Sequence, residues 1–151
     1  MNGMTVSKSF ALFVVLLFLS FPGFGQNNRA DKIIGEWINE DKNEAVEIYK
    51  RDDRYFGKLI YAKDLLQRDG KSYPQDVKNP DSNLRQRNLY SIDILLGFQY
   101  QDDQWEGGSL YDPKSGRTYS CLMKLQDGTL QIRGYIGIPL LGRSSYWTRT
   151  P

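Results

Sequence analysis

Trp105 to Trp147, WEGGSLYDPKSGRTYSCLMKLQDGTLQIRGYIGIPLLGRSSYW, is a row of strand patterns cut by turn residues. Tyr119, Cys121, Met123 and Leu125 alternate with Thr118, Ser120, Leu122 and Lys124, the period of two that marks a half-buried strand. Asp127-Gly128 then supplies two residues that tolerate positive φ, as a tight hairpin requires. Leu130 and Ile132 alternate with Gln131 and Arg133 on the return. Upstream, Asp112-Pro113 with Gly116 fits a longer hairpin loop, proline fixing φ and glycine taking the left-handed position. The final strand, Ser144 to Arg149, follows a looser connection through Gly137, Pro139 and Gly142.

Working outward, the same pattern recurs. Ile33 to Ile38 reads as a first strand and Glu44 to Lys50 as a second; Asp52-Asp53 turns the chain into a third, Tyr55 to Ala62. Ile94 to Tyr100 and Trp105 to Tyr111 flank a turn at Asp102-Asp103. The count is eight, the number at which an up-and-down antiparallel sheet closes into a small barrel and loses its exposed edges. An all-β, eight-stranded antiparallel barrel is therefore expected, with a flattened sandwich as the alternative. One long interruption, Lys63 to Ser91, exceeds an ordinary connection. Asn79 before Pro80 is a helix-start signal, asparagine as cap and proline at the first helical position, which predicts a short helix over about Pro80 to Arg87.

The amino terminus follows other rules. Lys8 precedes FALFVVLLFLSF and then Pro22-Gly23-Phe24-Gly25: a basic start, a short apolar core and small residues. That order predicts a secretory signal over residues 1–25 and a single mature domain, 26–151, in the periplasm or outside the cell. The run is shorter than the roughly 20 apolar residues a membrane span needs, so no span is expected after cleavage. Five of the seven Phe fall in this segment, whereas all ten Tyr and three Trp remain, so most aromatics of the mature chain carry a polar handle. Removing Lys8 takes the formal charge from +2 to +1, which argues against a nucleic-acid partner.

Cys121 is the single cysteine, so an intramolecular disulfide is excluded, and its place on the apolar face predicts a buried thiol. The chain has no histidine, which excludes Ser-His-Asp and Cys-His nucleophiles and histidine-ligated metals. No cofactor is expected.

The candidate site residues come from the long loop and the last connection. Asp76, Asn79 and Asp81 put three oxygen-bearing side chains close together, though capping and turn formation account for them without a metal. Arg85-x-Arg87 is a basic pair suited to an anion or to nearby carboxylates. Arg133 and Arg143 flank the glycine-rich run Gly134 to Gly142, whose spacing is not that of a phosphate loop. Asp76, Asn79, Arg85, Arg87, Arg133 and Arg143 are thus the expected ligand-binding residues, framing one region of positive potential for an acidic small molecule.

Gly35-x-Trp37 on a first strand resembles the lipocalin signature, in which the tryptophan closes the barrel floor and a late arginine packs over it; Arg149 has the right place for that arginine. A longer set of motifs runs along the chain: Gly35-Glu36-Trp37, Tyr55-x-Gly57-Lys58-Leu59-Ile60, Asp76-Val77-Lys78-Asn79-Pro80-Asp81 and Leu84-Arg85-Gln86-Arg87. It continues through Trp105-x-Gly107-Gly108-x-Leu110-Tyr111-Asp112-Pro113, Gly116-x-x-Tyr119, Arg133-Gly134-Tyr135 and Leu141-Gly142-Arg143 to Trp147. On these residues the chain as a whole resembles a family of small exported bacterial proteins of unknown function, DUF2147. Asn88 departs from it, since the family often has proline after the second arginine. The resemblance implies a lipocalin-like exported barrel and assigns no chemistry.

The residues therefore favour a small-ligand-binding barrel over an enzyme. The alternatives are a hydrolase built on carboxylates or tyrosine, and an envelope interaction or stress accessory protein with a filled core. An apolar cavity favours the first, two facing carboxylates the second, and a core filled by its own side chains the third.

Overall fold

Eight strands pair in strict chain order and close on themselves: β1 (Gly35–Asn39), β2 (Glu44–Arg51), β3 (Arg54–Ala62), β4 (Asp93–Gln101), β5 (Gln104–Asp112), β6 (Arg117–Gln126), β7 (Thr129–Tyr135) and β8 (Arg143–Arg149). The computed structural model describes residues 29–151, so the expected signal, residues 1–25, lies outside the described residues. β8 returns to β1, with Trp37 opposite Arg149 and Asn39 opposite Trp147. The barrel, rather than the sandwich, is the fold.

Three tight turns set the registers. Asp52-Asp53, Asp102-Asp103 and Asp127-Gly128 all have both central residues at positive φ, the conformation whose twist matches a two-residue hairpin. Arg51 therefore faces Arg54, Gln101 faces Gln104, and Gln126 faces Thr129.

Partners directly across a ladder share a face, so the interior can be followed around the barrel. Trp37 faces Val46, Val46 faces Leu59, Gly57 faces Leu95, and Leu95 faces Leu110. Leu110 faces Tyr119, Met123 faces Ile132, and Leu130 faces Trp147. Trp37, Phe98, Trp105, Met123, Leu130 and Trp147 are buried and fill the half of the barrel nearest the tight turns, and Cys121 is buried with them. Each large apolar side chain so buried contributes about 1.5–3 kcal/mol, which is how a chain without a disulfide holds its shape.

That half is also plugged. The segment before β1 forms a 3₁₀ turn, Asp31–Ile33, instead of extending the strand from Ile33 as the pattern predicted. The turn brings backbone acceptors to the two indoles: Trp37 Nε1 donates to Ile33 O at 2.8 Å and Trp105 Nε1 to Ala30 O at 3.1 Å. Tyr55 donates its hydroxyl to Asp31 at 2.6 Å, which holds that carboxyl below its ordinary range. Burial, then the same hydrogen bond, pushes the Tyr55 phenol well up.

The predicted helix over Pro80 to Arg87 is a single 3₁₀ turn, Ser82–Leu84, and its cap is Asp81, which accepts from Asn83 N at 2.9 Å. Asn79 is otherwise engaged. Its Oδ1 accepts from Asp81 N and its Nδ2 donates to Asp76, so it folds a local turn rather than starting a helix. Asn88, the departure from the family pattern, is used fully. It donates to Tyr73 O at 2.7 Å, accepts from Tyr90 N at 2.8 Å, and pairs with Gln75.

Candidate functional site

The strand order gathers the β1–β2, β3–β4, β5–β6 and β7–β8 connections at the barrel end opposite the plug. At this end the inward phase continues into residues that do not fill the space. Asp112 faces Arg117, Leu110 faces Tyr119, Ile132 faces Ser145, and Gly134 faces Arg143. All of these residues except Asp112 line an open cup of about 720 Å³. Leu110 and Ile132 form its apolar wall, Tyr119 and Ser145 add hydroxyls, and Arg117 and Arg143 stand at its mouth.

Gly134 keeps the cup open. A Cβ there would touch Leu110 at 3.5 Å and Tyr119 at 3.8 Å, so any longer side chain would project into the space. Ser145 is fixed by accepting the Trp147 indole N–H at 2.8 Å, which joins the wall to the packed floor. Among the described residues no carboxylate lines the cup, and none forms an ion pair with Arg117 or Arg143. Asp112 is beside Arg117 in register, but its oxygens cap the hairpin by accepting from Lys114 N and Ser115 Oγ. Two cationic forks over an apolar wall suit a carboxylate or phosphate that carries a hydrocarbon body.

The six residues expected from the sequence divide. Arg143 lines the cup. Arg133 stands behind it and ties the β7–β8 connection, donating to Pro139 O at 2.7 Å, Leu140 O at 3.1 Å and Ser144 Oγ at 2.8 Å. The other four meet one another. Asp76, fully buried, pairs with Arg87 at 2.9 Å and accepts from Asn79 Nδ2 at 2.8 Å and from the Tyr111 hydroxyl. Arg85 closes the same loop by donating to Asn79 O at 2.8 Å. Burial, then the hydrogen bond to Asp76, pushes the Tyr111 phenol up to about 12.

Tyr111 follows Leu110 on β5 and so faces away from the cup, which puts the Asp76 network on the outside of the wall. The loop is held against the β5–β6 hairpin as well: Gly116, at φ +73°, has no room for a Cβ because the Lys78 backbone packs against it. The two loops share one end of the barrel, one as buttress and one as rim.

Arg117, Tyr119, Ser145, Leu110 and Ile132 escaped the sequence reading as site residues. The available signal was the phase: Arg117 lies two positions before Tyr119 and four before Cys121, so it shares their inward face. A smaller cleft of about 290 Å³ adjoins the loop, lined by Glu44, Asp64, Asp112 and Lys114. Lys114 pairs with Asp64 at 2.8 Å there, and burial raises the Glu44 carboxyl.

Comparison with known proteins agrees with this architecture. The sequence profile of DUF2147, described as "Uncharacterized protein conserved in bacteria", matches residues 35–149. Curated proteins gave no match. Among solved structures, the barrel is similar to the protein HP1028 from the human pathogen Helicobacter pylori, which is described as belonging to the lipocalin family. The TM-score is 0.67 at 19% identity, covering 78% of this chain and 82% of that one.

Proposed function

The chain belongs to the bacterial family DUF2147 and folds as a lipocalin-like barrel, and from that premise we propose that it binds a small amphipathic acid in the cup. The observation that carries the reading is the pairing of an unfilled apolar wall, Leu110 and Ile132, with Arg117 and Arg143 at the mouth, neither ion-paired with a carboxylate among the described residues. Apolar burial supplies affinity for the hydrocarbon body, and the guanidinium forks select the charged head. Arg133 belongs to this reading as the residue that shapes the rim, and Asp76, Asn79, Arg85 and Arg87 as those that brace the wall from outside. The domain is proposed to be exported, with its mature chain starting near Gln26, on the strength of the short apolar run after Lys8.

The test is a titration with dodecanoate and with dodecanol, which share a hydrocarbon body and differ in head group. Saturable binding of the acid at least about tenfold tighter than the alcohol is expected, given what a charge-assisted hydrogen bond adds. Equal affinity for both would contradict the role of the arginines. Absence of binding to either would contradict the cup itself.

A further inference from the structure

The β7–β8 connection carries four large apolar side chains that stand mostly in the open. Ile136, Ile138, Leu140 and Leu141 are 72%, 53%, 80% and 75% exposed within six residues, on the rim of the cup. We infer that this loop is a membrane-docking wedge, which seats the mouth of the barrel on an anionic lipid surface.

Three features distinguish the loop from an ordinary polar connection. First, much of its backbone is already engaged. Ile138 N donates to Ile136 O at 3.1 Å, Leu141 N to Ile138 O at 3.2 Å, and Gly142 N to Pro139 O at 3.0 Å. Pro139 has no N–H to satisfy, and Arg133 covers the Pro139 and Leu140 carbonyls from below. A loop entering the acyl region must leave few bare peptide groups, and these bonds lower their number. Second, charge complements it. Arg117 and Arg143 stand beside the wedge with no carboxylate partner among the described residues, at the level of lipid head groups when the apolar tips are immersed. Third, Ile136 and Leu141 both line the cup and face out, so the apolar tips run continuously into the cavity. That continuity deepens the proposed function, on which this last point rests: the bound acid would be taken from, or returned to, the bilayer.

Position-specific fluorescence tests the docking separately from ligand binding. The three native tryptophans are buried, so a tryptophan introduced as Leu140→Trp reports the wedge, and Gln126→Trp, at the plugged end, serves as the control. With vesicles of phosphatidylcholine and phosphatidylglycerol carrying brominated acyl chains, the residue at position 140 should be quenched and that at 126 should not. Pure phosphatidylcholine should quench it less. Ile138→Ser combined with Leu140→Ser, two positions outside the cup lining, should weaken vesicle partition by at least about tenfold while leaving dodecanoate affinity in vesicle-free buffer unchanged. No quenching at position 140, or equal quenching at both positions, would overturn the inference. So would a blue-shifted position 140 without vesicles in a protein that sediments as a dimer, since a second copy would then cover the wedge.

Discussion

Arg149 lays its guanidinium 4.5 Å over the Trp37 ring and donates to the carbonyls of Ile34, at 3.0 Å, and Lys32. The last strand thereby locks the plug formed by the segment before the first, and the barrel is shut at one end. Gly35 makes the approach feasible. It sits at φ +129°, and a Cβ there would lie 2.6 Å from Arg149 Nη1. Replacing Arg149 by Ala should lower stability by about 1–2 kcal/mol through loss of the cation–π contact. Gly35→Ala should lower it by about 1–3 kcal/mol through backbone strain. Both are read from urea denaturation, and dodecanoate affinity should be unaffected because the cup is at the other end.

The buttress behind the cup should behave differently from the cup. Asp76→Ala leaves the Arg87 guanidinium, the Asn79 amide and the Tyr111 hydroxyl without their acceptor. Leaving the buried Asn79 amide and Tyr111 hydroxyl without an acceptor costs about 1–3 kcal/mol each, so a large fall in melting temperature is expected. A variant as stable as the parent would show that the network does not hold the loop.

Glu44 gives the fold a pH dependence of predictable sign. Burial raises its folded carboxyl above the ordinary value of 4.5, so between that value and the raised one the folded state binds more protons than the unfolded. Stability contributed by this group is therefore greatest below pH 4.5 and falls as pH rises through the raised value. Glu44→Gln should raise the melting temperature at pH 7 and flatten its slope in the mildly acidic range. An unchanged slope would remove Glu44 as the cause.

Cys121 is fully buried, and desolvation pushes its thiol up to about 12. Reaction with a thiol reagent at pH 8 should be slow in the native protein and fast after denaturation, because only the thiolate attacks. Rapid native labelling would contradict the packing of β6 against β7.

The architecture was legible because each strand advertises its own phase and each tight turn its own residues. Asp127-Gly128, Asp52-Asp53 and Asp102-Asp103 all adopt the turn their composition suggests, and Arg149 meets Trp37 where the short Gly-x-Trp pattern placed it. The Asn79-Pro80 signal misled because it is local. Asp76 competes for the same asparagine side chain, and Tyr111, the partner that keeps Asp76 buried, lies 35 positions away in sequence. The cup was hidden for a related reason. Inward phase can be read from one strand, but whether the inward space is filled depends on what faces it from the others. Gly134 opposite Cys121 and beside Leu110 leaves that space open, a fact of three strands at once.

The most direct measurement is dodecanoate affinity across three variants: Arg117→Met with Arg143→Met, Gly134→Val, and Arg87→Met. The account predicts that the paired arginine variant loses preference for the acid over dodecanol and keeps its melting temperature. Gly134→Val, which fills the cup without touching a charge, should lose both ligands, whereas Arg87→Met should lose stability and retain affinity. Undiminished dodecanoate binding in the Arg117→Met, Arg143→Met and Gly134→Val variants would contradict the claim that the cup is the site.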